Sequence, residues 1–465
     1  MTDKLKTAHL LVSIGETLRT ALQKIEQNHF GVVFVSDENG SVIGAATDGD
    51  IRRLLLADGQ LEASIETCMN KSFIWVDDKT PREAILKQLD HHIKVVPILS
   101  SDRKLVDIVS KDYLPTSIEK DVYVRARAPV RISFGGGGSD LTYFFSEQRG
   151  AVINSTISFY SHATLRVRKD MKIHITSRDL GEELMVVSWE EIKVTGKFGL
   201  LLAVIKTVHP DFGFDLFVES EFPMGSGLGG SAVVSAAVLG CFNQLRQDRW
   251  DSHELAELAY QAERIYLGIA GGWQDQYATV FGGMNFIEFA MDQNIVHPLR
   301  IKEETILELE ESLVLCDTSI SHNSGKIHDD QRANVQRSGG KPGESVRKNV
   351  ELTYRMRDHL LRGRLRDFGL ALHEGWMLKR EFSSSISSDL LDEVYNGAIQ
   401  NGAIGGKLLG AGGGGFFLFY APAFSKAKLV DYLESKQLNV RPFRFDNVGL
   451  KSWTVRSPSL DKGFL

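Results

Sequence analysis

The segment that most restricts this chain is Pro223-Met-Gly-Ser-Gly-Leu-Gly-Gly-Ser-Ala232, with four glycines in six residues directly ahead of an apolar run. Residues 233–246 are apolar on nearly every face, so they are predicted to form a buried helix. A glycine-rich turn entering such a helix aims several free backbone N–H groups, and the positive end of the helix dipole, at one point. An anion the size of a triphosphate fits that geometry. No lysine precedes Ser231, so the loop is not of the Walker A type. Charge must then be neutralised by a metal ion and other cations. A serine-capped helix start would account for Ser231 alone, but not for the four glycines.

Glycine is clustered elsewhere too. The 43 glycines include islands at 135–138, 225–230, 268–272 and 410–415, each between apolar segments. Periodic fibres and Gly/Ser linkers distribute glycine differently. Dense islands mark places where backbone approaches a ligand closely. At about 100–200 residues per domain, a chain of 465 residues is expected to hold several. With 54 basic and 60 acidic residues, binding to nucleic acid or an anionic membrane through bulk positive charge is not expected. The longest apolar run, residues 232–242, is far short of a membrane span. The N-terminus lacks the apolar region of a signal peptide. Cys68, Cys241 and Cys316 are widely separated, which suggests neither a disulfide framework nor a zinc site. A cytoplasmic, multidomain protein is expected.

The first 116 residues contain an internal repeat at a spacing of 63: Thr17, Arg19, Ala21, His29, Val32 and Val33 fall on Thr80, Arg82, Ala84, His92, Val95 and Val96. Each copy reads as an amphipathic helix (residues 17–27 and 81–90), an apolar strand, a polar turn and a second strand. Two copies that each leave a sheet face open are expected to pack on one another as an α/β module. The run Asn39-Gly-Ser-Val-Ile-Gly-Ala-Ala-Thr-Asp-Gly-Asp-Ile-Arg-Arg53 resembles a CBS motif, and residues 9–116 resemble a tandem CBS pair. That resemblance implies an adenosyl ligand whose ribose meets Thr47 and Asp50. The same Thr-x-x-Asp step is also a helix-capping pattern, and the sequence leaves both readings open. In the second copy Ser110 is followed by Tyr113, so a second ribose step is absent.

A Pro/Thr/Ser/charge cluster at residues 115–121 marks a boundary. Beyond it, strands and helices alternate to the end of the chain, and residues 338–344 read as a surface loop. A helix is predicted over residues 251–267, with an apolar stripe of Leu255, Leu258, Ala259, Ala262, Ile265 and Tyr266. Glu263 then lies on the flank of that stripe, as a paired core carboxylate or a ligand. Asp275 follows a glycine turn in Gly268-Ile-Ala-Gly-Gly-Trp-Gln-Asp-Gln-Tyr277, where it could also cap a helix.

Together with Ala128-Pro-Val-Arg-Ile-Ser-Phe-Gly-Gly-Gly-Gly-Ser-Asp140 and Gly410-Ala-Gly-Gly-Gly-Gly415, these pieces resemble the GHMP superfamily of small-molecule kinases over residues 122–460. The resemblance implies an α+β fold with a ribosomal-S5-like N-terminal half (residues 120–300) and a ferredoxin-like C-terminal half (301–465). It implies ATP as co-substrate, held by Pro223, Gly225, Ser226, Gly227, Leu228, Gly229, Gly230 and Ser231. Ser231 and Glu263 would hold Mg²⁺, and Asp275 would face the acceptor hydroxyl. Arg131 would lie near the transferring phosphoryl group. Gly137, Ser139, Asp140, Lys379 and Gly413 would meet the sugar. Gly230 departs from the superfamily pattern, where serine is usual.

Within the superfamily, Phe134-Gly-Gly-Gly-Gly-Ser-Asp140, Gly272-Trp-Gln-Asp-Gln-Tyr277, His373-Glu-Gly-Trp-Met-Leu-Lys379 and Gly405-Gly-Lys-Leu-Leu-Gly410 resemble the D-glycero-D-manno-heptose 7-phosphate kinases. The implied reaction is phosphorylation of the anomeric hydroxyl to give the 1,7-bisphosphate, for nucleotide-activated heptose biosynthesis. Lys379, Arg380 and Lys407 are candidates for binding the substrate's own phosphate. The alternatives are a kinase for another sugar such as L-fucose, or a CBS-based nucleotide sensor with an inert kinase fold. A nucleotide effector near Thr47 and Asp50 is expected to shift activity or self-association, with a homodimer as the simplest assembly.

Overall fold

A computed structural model describes residues 9–77, 80, 82–90, 92–111, 120–320, 327 and 341–458. The chain forms two compact units, Met1–Lys120 and Asp121–Leu465. Residues 115–119 of the boundary cluster, and Pro81 at the head of the second repeat's helix, lie outside the described residues.

In the first unit the 63-residue repeat extends to the strand register. Leu11–Ser13, Val32–Ser36 and Val42–Thr47 form one three-stranded sheet, and Val76–Asp77, Val95–Leu99 and Leu105–Ser110 form the other. Val32 pairs with Thr47 as Val95 pairs with Ser110, and the bulge at Val35/Ser36 recurs at Ile98/Leu99. Leu10, Val32, Phe34, Val42 and Ala45 of the first copy share one buried cluster with Leu99 and Ile108 of the second. The two open sheet faces thus cover each other. Helix Leu18–Asn28 starts at the Thr17 cap, while the second copy keeps only Arg82–Leu86 of its helix.

The second unit has two sheets. The eight-stranded one runs Glu182–Val186, Ile173–Ser177, Phe214–Ser220, Gly150–Val167, Met284–Phe289 and Asn294–Pro298, with Lys120–Gly135 also paired to Gly150–Val167. Helix Gly230–Leu245 packs on it with ten buried residues, as its apolar surface requires. The other sheet is antiparallel, in the order Gly405–Leu408, Phe416–Tyr420, Leu313–Asp317, Asn439–Arg441. Numbered along the chain that order is 2-3-1-4, the ferredoxin-like arrangement. The last strand, Lys451–Pro458, returns to pair with Lys120–Gly135, so residues 301–465 do not stay in one half. Among the described residues no helix is long and apolar enough to cross a membrane.

Two elements differ from expectation. Residues 341–344 are not loop but the opening turn of helix Lys341–Leu361, where proline at the second position is tolerated; residues 338–340 lie outside the described set. The predicted 251–267 helix is α-helical only over Ser252–Tyr260 and continues as a π-helix over Gln261–Tyr266. The Leu267 N–H donates to the Ala262 carbonyl, five residues back, at 3.1 Å. The wider turn changes the phase of the side chains: Ile265, assigned to the apolar stripe, is exposed, whereas Glu263 is fully buried.

Candidate active site

The residues picked out by the sequence converge on one cavity of about 350 Å³. Its walls include Arg131, Gly137, Asp140, Gly225, Ser226, Gly227, Gly229, Gly230, Ser231, Asp275, Lys379 and Gly410. The glycine loop, the sugar-motif turn and the third glycine island therefore meet around one space. Five of the expected site residues, Pro223, Leu228, Ser139, Gly413 and Glu263, do not line it, and neither do the phosphate-binding candidates Arg380 and Lys407. Pro223 and Leu228 belong to the loop but lie off the cavity wall; the Leu228 side chain is buried and its carbonyl accepts from the Arg131 N–H at 3.2 Å. Ser139 is fully buried, and its hydroxyl donates to the Gly136 and Ala151 carbonyls, at 2.7 and 3.0 Å, closing its own turn. Gly413 is likewise off the wall, its N–H donating to the Ile386 carbonyl at 2.8 Å.

Arg131 and Asp275 form the centre. Arg131 Nε donates to Asp275 Oδ1 at 2.8 Å, and Nη1 donates to the Gly227 carbonyl at 2.7 Å. The guanidinium is 4% exposed and the carboxylate 22%, so the pair is shielded from water but opens on the cavity. Asp275 lies in the first turn of helix Gln274–Phe281 and does not cap it; Trp273 holds that place. Its carboxylate abuts the loop: a Cβ built on Gly229 would lie 3.2 Å from Asp275 Oδ2. Trp273 stacks on Tyr260 with ring centres 3.5 Å apart, and Arg264 donates to the Ile269 and Gly272 carbonyls, so the turn before Asp275 is clamped.

Asp140 accepts from the Gly138 N–H at 3.0 Å and the Gln274 N–H at 3.3 Å. Burial, and then the charge of Asp275, raise its carboxyl pKa, although those two amides pull it down. Gly272 is obligatory beside it, since a Cβ there would lie 1.8 Å from Asp140 Oδ2. The serine-to-glycine departure at Gly230 has a local cause as well: a Cβ would meet the Phe222 ring at 2.8 Å.

Lys379 and Lys407 are not surface charges. Both are buried, and both donate to backbone carbonyls: Lys379 to Leu408 and Gly410, Lys407 to Phe134 at 3.1 Å. Burial, then the Lys407 and Arg131 charges, hold the Lys379 ammonium well below the ordinary lysine range. Burial, then Arg131, bring Lys407 down to about 7. Arg380, the third candidate, instead pairs with Asp392. These shifts make stability pH-dependent. Below the folded value Lys407 is charged in folded and unfolded chains alike, and its burial is destabilising. Above it, and up to the unfolded value of about 10.4, the unfolded chain binds more protons, so stability rises with pH. Lys407→Met is therefore expected to raise the thermal midpoint by about 2–5 °C at pH 6 and by less at pH 9. A larger gain at pH 9 would contradict this.

Glu263 lies off the cavity wall. One carboxylate oxygen accepts from Gln276 Nε2; the other, Oε1, has no hydrogen-bond partner among the described residues and only Arg264 Nη1 at 3.9 Å. Glu263 thus offers a spare, fully buried carboxylate oxygen and Ser231 a hydroxyl on the cavity wall, each a hard-oxygen donor of the kind Mg²⁺ takes.

The sequence reading missed Arg264 and the apolar part of the cavity lining, Leu200, Leu201, Val218, Phe222 and Val234. Nothing in the sequence separates these apolar residues from core. In the first unit, Thr47 and Asp50 form a reciprocal capping box: Asp50 Oδ2 accepts from the Thr47 N–H and hydroxyl, and the Asp50 N–H donates to Thr47 Oγ1. Burial alone would raise the Asp50 carboxyl, but Thr47 and Arg53 outweigh it and hold it low.

Comparison with known proteins defines the class. Residues 198–283 match the GHMP kinases N terminal domain, 356–438 the GHMP kinases C terminal domain, and 4–57 and 63–114 the CBS domain. The chain belongs to the GHMP kinases: it is an ATP-dependent sugar kinase, a phosphotransferase, preceded by a CBS pair. Over 338 residues it is 35% identical to D-glycero-alpha-D-manno-heptose 7-phosphate kinase of Campylobacter jejuni, covering 71% of this chain and 99% of that one. The crystal structure of a D-glycero-D-manno-heptose 1-phosphate kinase from Bacteriodes thetaiotaomicron is 28% identical, with a TM-score of 0.60 over 72% of this chain and all of that one. A bifunctional fucokinase/GDP-fucose pyrophosphorylase of Arabidopsis thaliana is 29% identical over 71% of this chain but only 32% of its own length.

Proposed function

We propose that the protein transfers the γ-phosphoryl group of ATP to the anomeric C1 hydroxyl of D-glycero-D-manno-heptose 7-phosphate, giving the 1,7-bisphosphate and ADP. The observation that carries this reading is the Arg131–Asp275 pair set against the glycine loop, with Asp140 in the same cavity. The N–H groups of the loop receive the phosphates, and the apolar lining of Leu200, Val218, Phe222 and Val234 suits a flat base. Asp275 accepts the proton of the acceptor hydroxyl as its oxygen bonds to phosphorus and the bond to the ADP oxygen breaks. An anomeric hydroxyl is more acidic than an ordinary alcohol, so a carboxylate is an adequate base. Arg131 orients that carboxylate and places positive charge beside the group in flight. Asp140 holds sugar hydroxyls. Mg²⁺, held by Ser231 and Glu263, would supply the charge that a Walker lysine supplies elsewhere. Lys379, on the cavity wall, would add positive potential for the substrate's own phosphate when protonated.

ADP release measured over a panel of sugars tests the assignment. Heptose 7-phosphate should give the highest kcat/KM. Preference for heptose 1-phosphate would contradict transfer to C1, and preference for L-fucose or another unphosphorylated sugar would reject the heptose assignment.

The CBS pair is the regulatory part of the proposal. An adenine or guanine nucleotide near Thr47 and Asp50 is expected to change kcat, KM or self-association of the full chain. Identical kinetics and sedimentation with and without AMP and GMP, matched by a chain lacking residues 1–116, would remove this role.

A further inference from the structure

Gln274 is a buried amide with no assigned work. Its side chain lines the cavity yet is only 8% exposed, and among the described residues the carboxamide makes no hydrogen bond; Oε1 is an orphaned buried acceptor. Such a group is costly unless something pairs with it. Its backbone is fixed, because its N–H donates to Asp140 Oδ2 and the next residue, Asp275, is held by Arg131. Its direction is also fixed: Nε2 lies 3.8 Å from where a Cβ on Gly137 would be, on the sugar-motif side of the cavity. Asp275 points to the other side, against Gly229.

We infer that Gln274 is a specificity-determining residue whose carboxamide pairs with the sugar hydroxyl next to the one phosphorylated. A carboxamide offers both a donor and an acceptor, which is what a hydroxyl requires. Asp140, an acceptor when ionised, lies beside it, so two adjacent polar groups face the substrate where two adjacent hydroxyls would be. Asp275 faces the reacting hydroxyl from the Gly229 side, so Gln274, on the Gly137 side, meets a different hydroxyl of the same ring, and the one next to C1 is on C2. This rests on the proposed sugar-kinase geometry and adds the group that reads the neighbouring carbon, C2 for transfer to C1.

The test pairs a side-chain change with a substrate change. Heptose 7-phosphate and its 2-deoxy analogue are compared with the wild-type protein, Gln274→Met and Gln274→Asn, measuring kcat and KM for ADP release. Wild type should lose about 10–100-fold in kcat/KM on the deoxy sugar. Gln274→Met should lose a similar factor on the full sugar and less than about threefold more on the deoxy sugar, since the partner is already gone. Losses that multiply across the two changes would overturn the inference. So would unchanged kinetics in Gln274→Met, which would mean that the amide meets only water. If neither variant folds, wild type alone decides: equal kcat/KM on both sugars overturns the pairing. Should wild type turn over no sugar, the kinase assignment fails, a result separate from any of these.

Discussion

Replacing Asp275 by asparagine is expected to lower kcat by about 10²–10⁴-fold, with little loss of affinity for ATP. Asparagine keeps an oxygen for Arg131 Nε, so the 2.8 Å contact and the turn around it persist. What it loses is the ability to accept the hydroxyl proton. Removal of a negative charge beside the loop at Gly229 does not weaken binding of an anion there, and an ATP mimic should bind at least as tightly. Single-turnover measurements with the preferred sugar would separate the two effects. Near-wild-type turnover in the variant would refute the role given to this carboxylate.

Gly410→Ala should damage the site from the opposite side. Gly410 has φ +69, a left-handed conformation, and a Cβ there would lie 2.5 Å from the Gly227 Cα, so the third glycine island rests directly on the phosphate loop. An alanine must force the two loops apart. It also moves the Gly410 carbonyl that accepts from Lys379. A displacement of about 1 Å at reacting groups is worth on the order of 10² in rate, and the strained backbone adds about 1–3 kcal/mol of destabilisation. A kcat/KM reduced at least 100-fold is therefore expected, with a lowered thermal midpoint. Gly343→Ala, where a Cβ meets nothing within 4 Å among the described residues, is the control and should behave as wild type. Wild-type kcat/KM in Gly410→Ala would show that contact between the loops is not needed.

Much of this could be read in the sequence because it rested on patterns that survive folding. The 63-residue repeat reappears as matched strand pairings and a matched bulge. The loop at residues 225–231 and the acids at 140 and 275, named from the family resemblance, line one cavity. The misses share a physical origin. A helix period of 3.6 residues cannot announce a π turn, so it puts Glu263 on a flank and Ile265 in the stripe, whereas Glu263 is buried and Ile265 exposed. Glycine-rich turns have no period at all, and only their hydrogen bonds decide that Ser139 and Gly413 face backbone rather than the cavity. The sequence names Lys379 and Lys407 as candidate cations but cannot show their burial, because backbone carbonyls, which leave no mark in a sequence, are their partners. Val234 lines the cavity from within a helix whose apolar surface reads as core throughout.

A crystal structure with a non-hydrolysable ATP analogue, Mg²⁺ and the preferred sugar would decide the matter. The triphosphate should lie in the loop between Gly225 and Ser231, its terminal phosphorus between Arg131 and the sugar hydroxyl that faces Asp275. Phosphates bound anywhere else in the protein, or a sugar oxygen out of reach of Asp275, would contradict this mechanism.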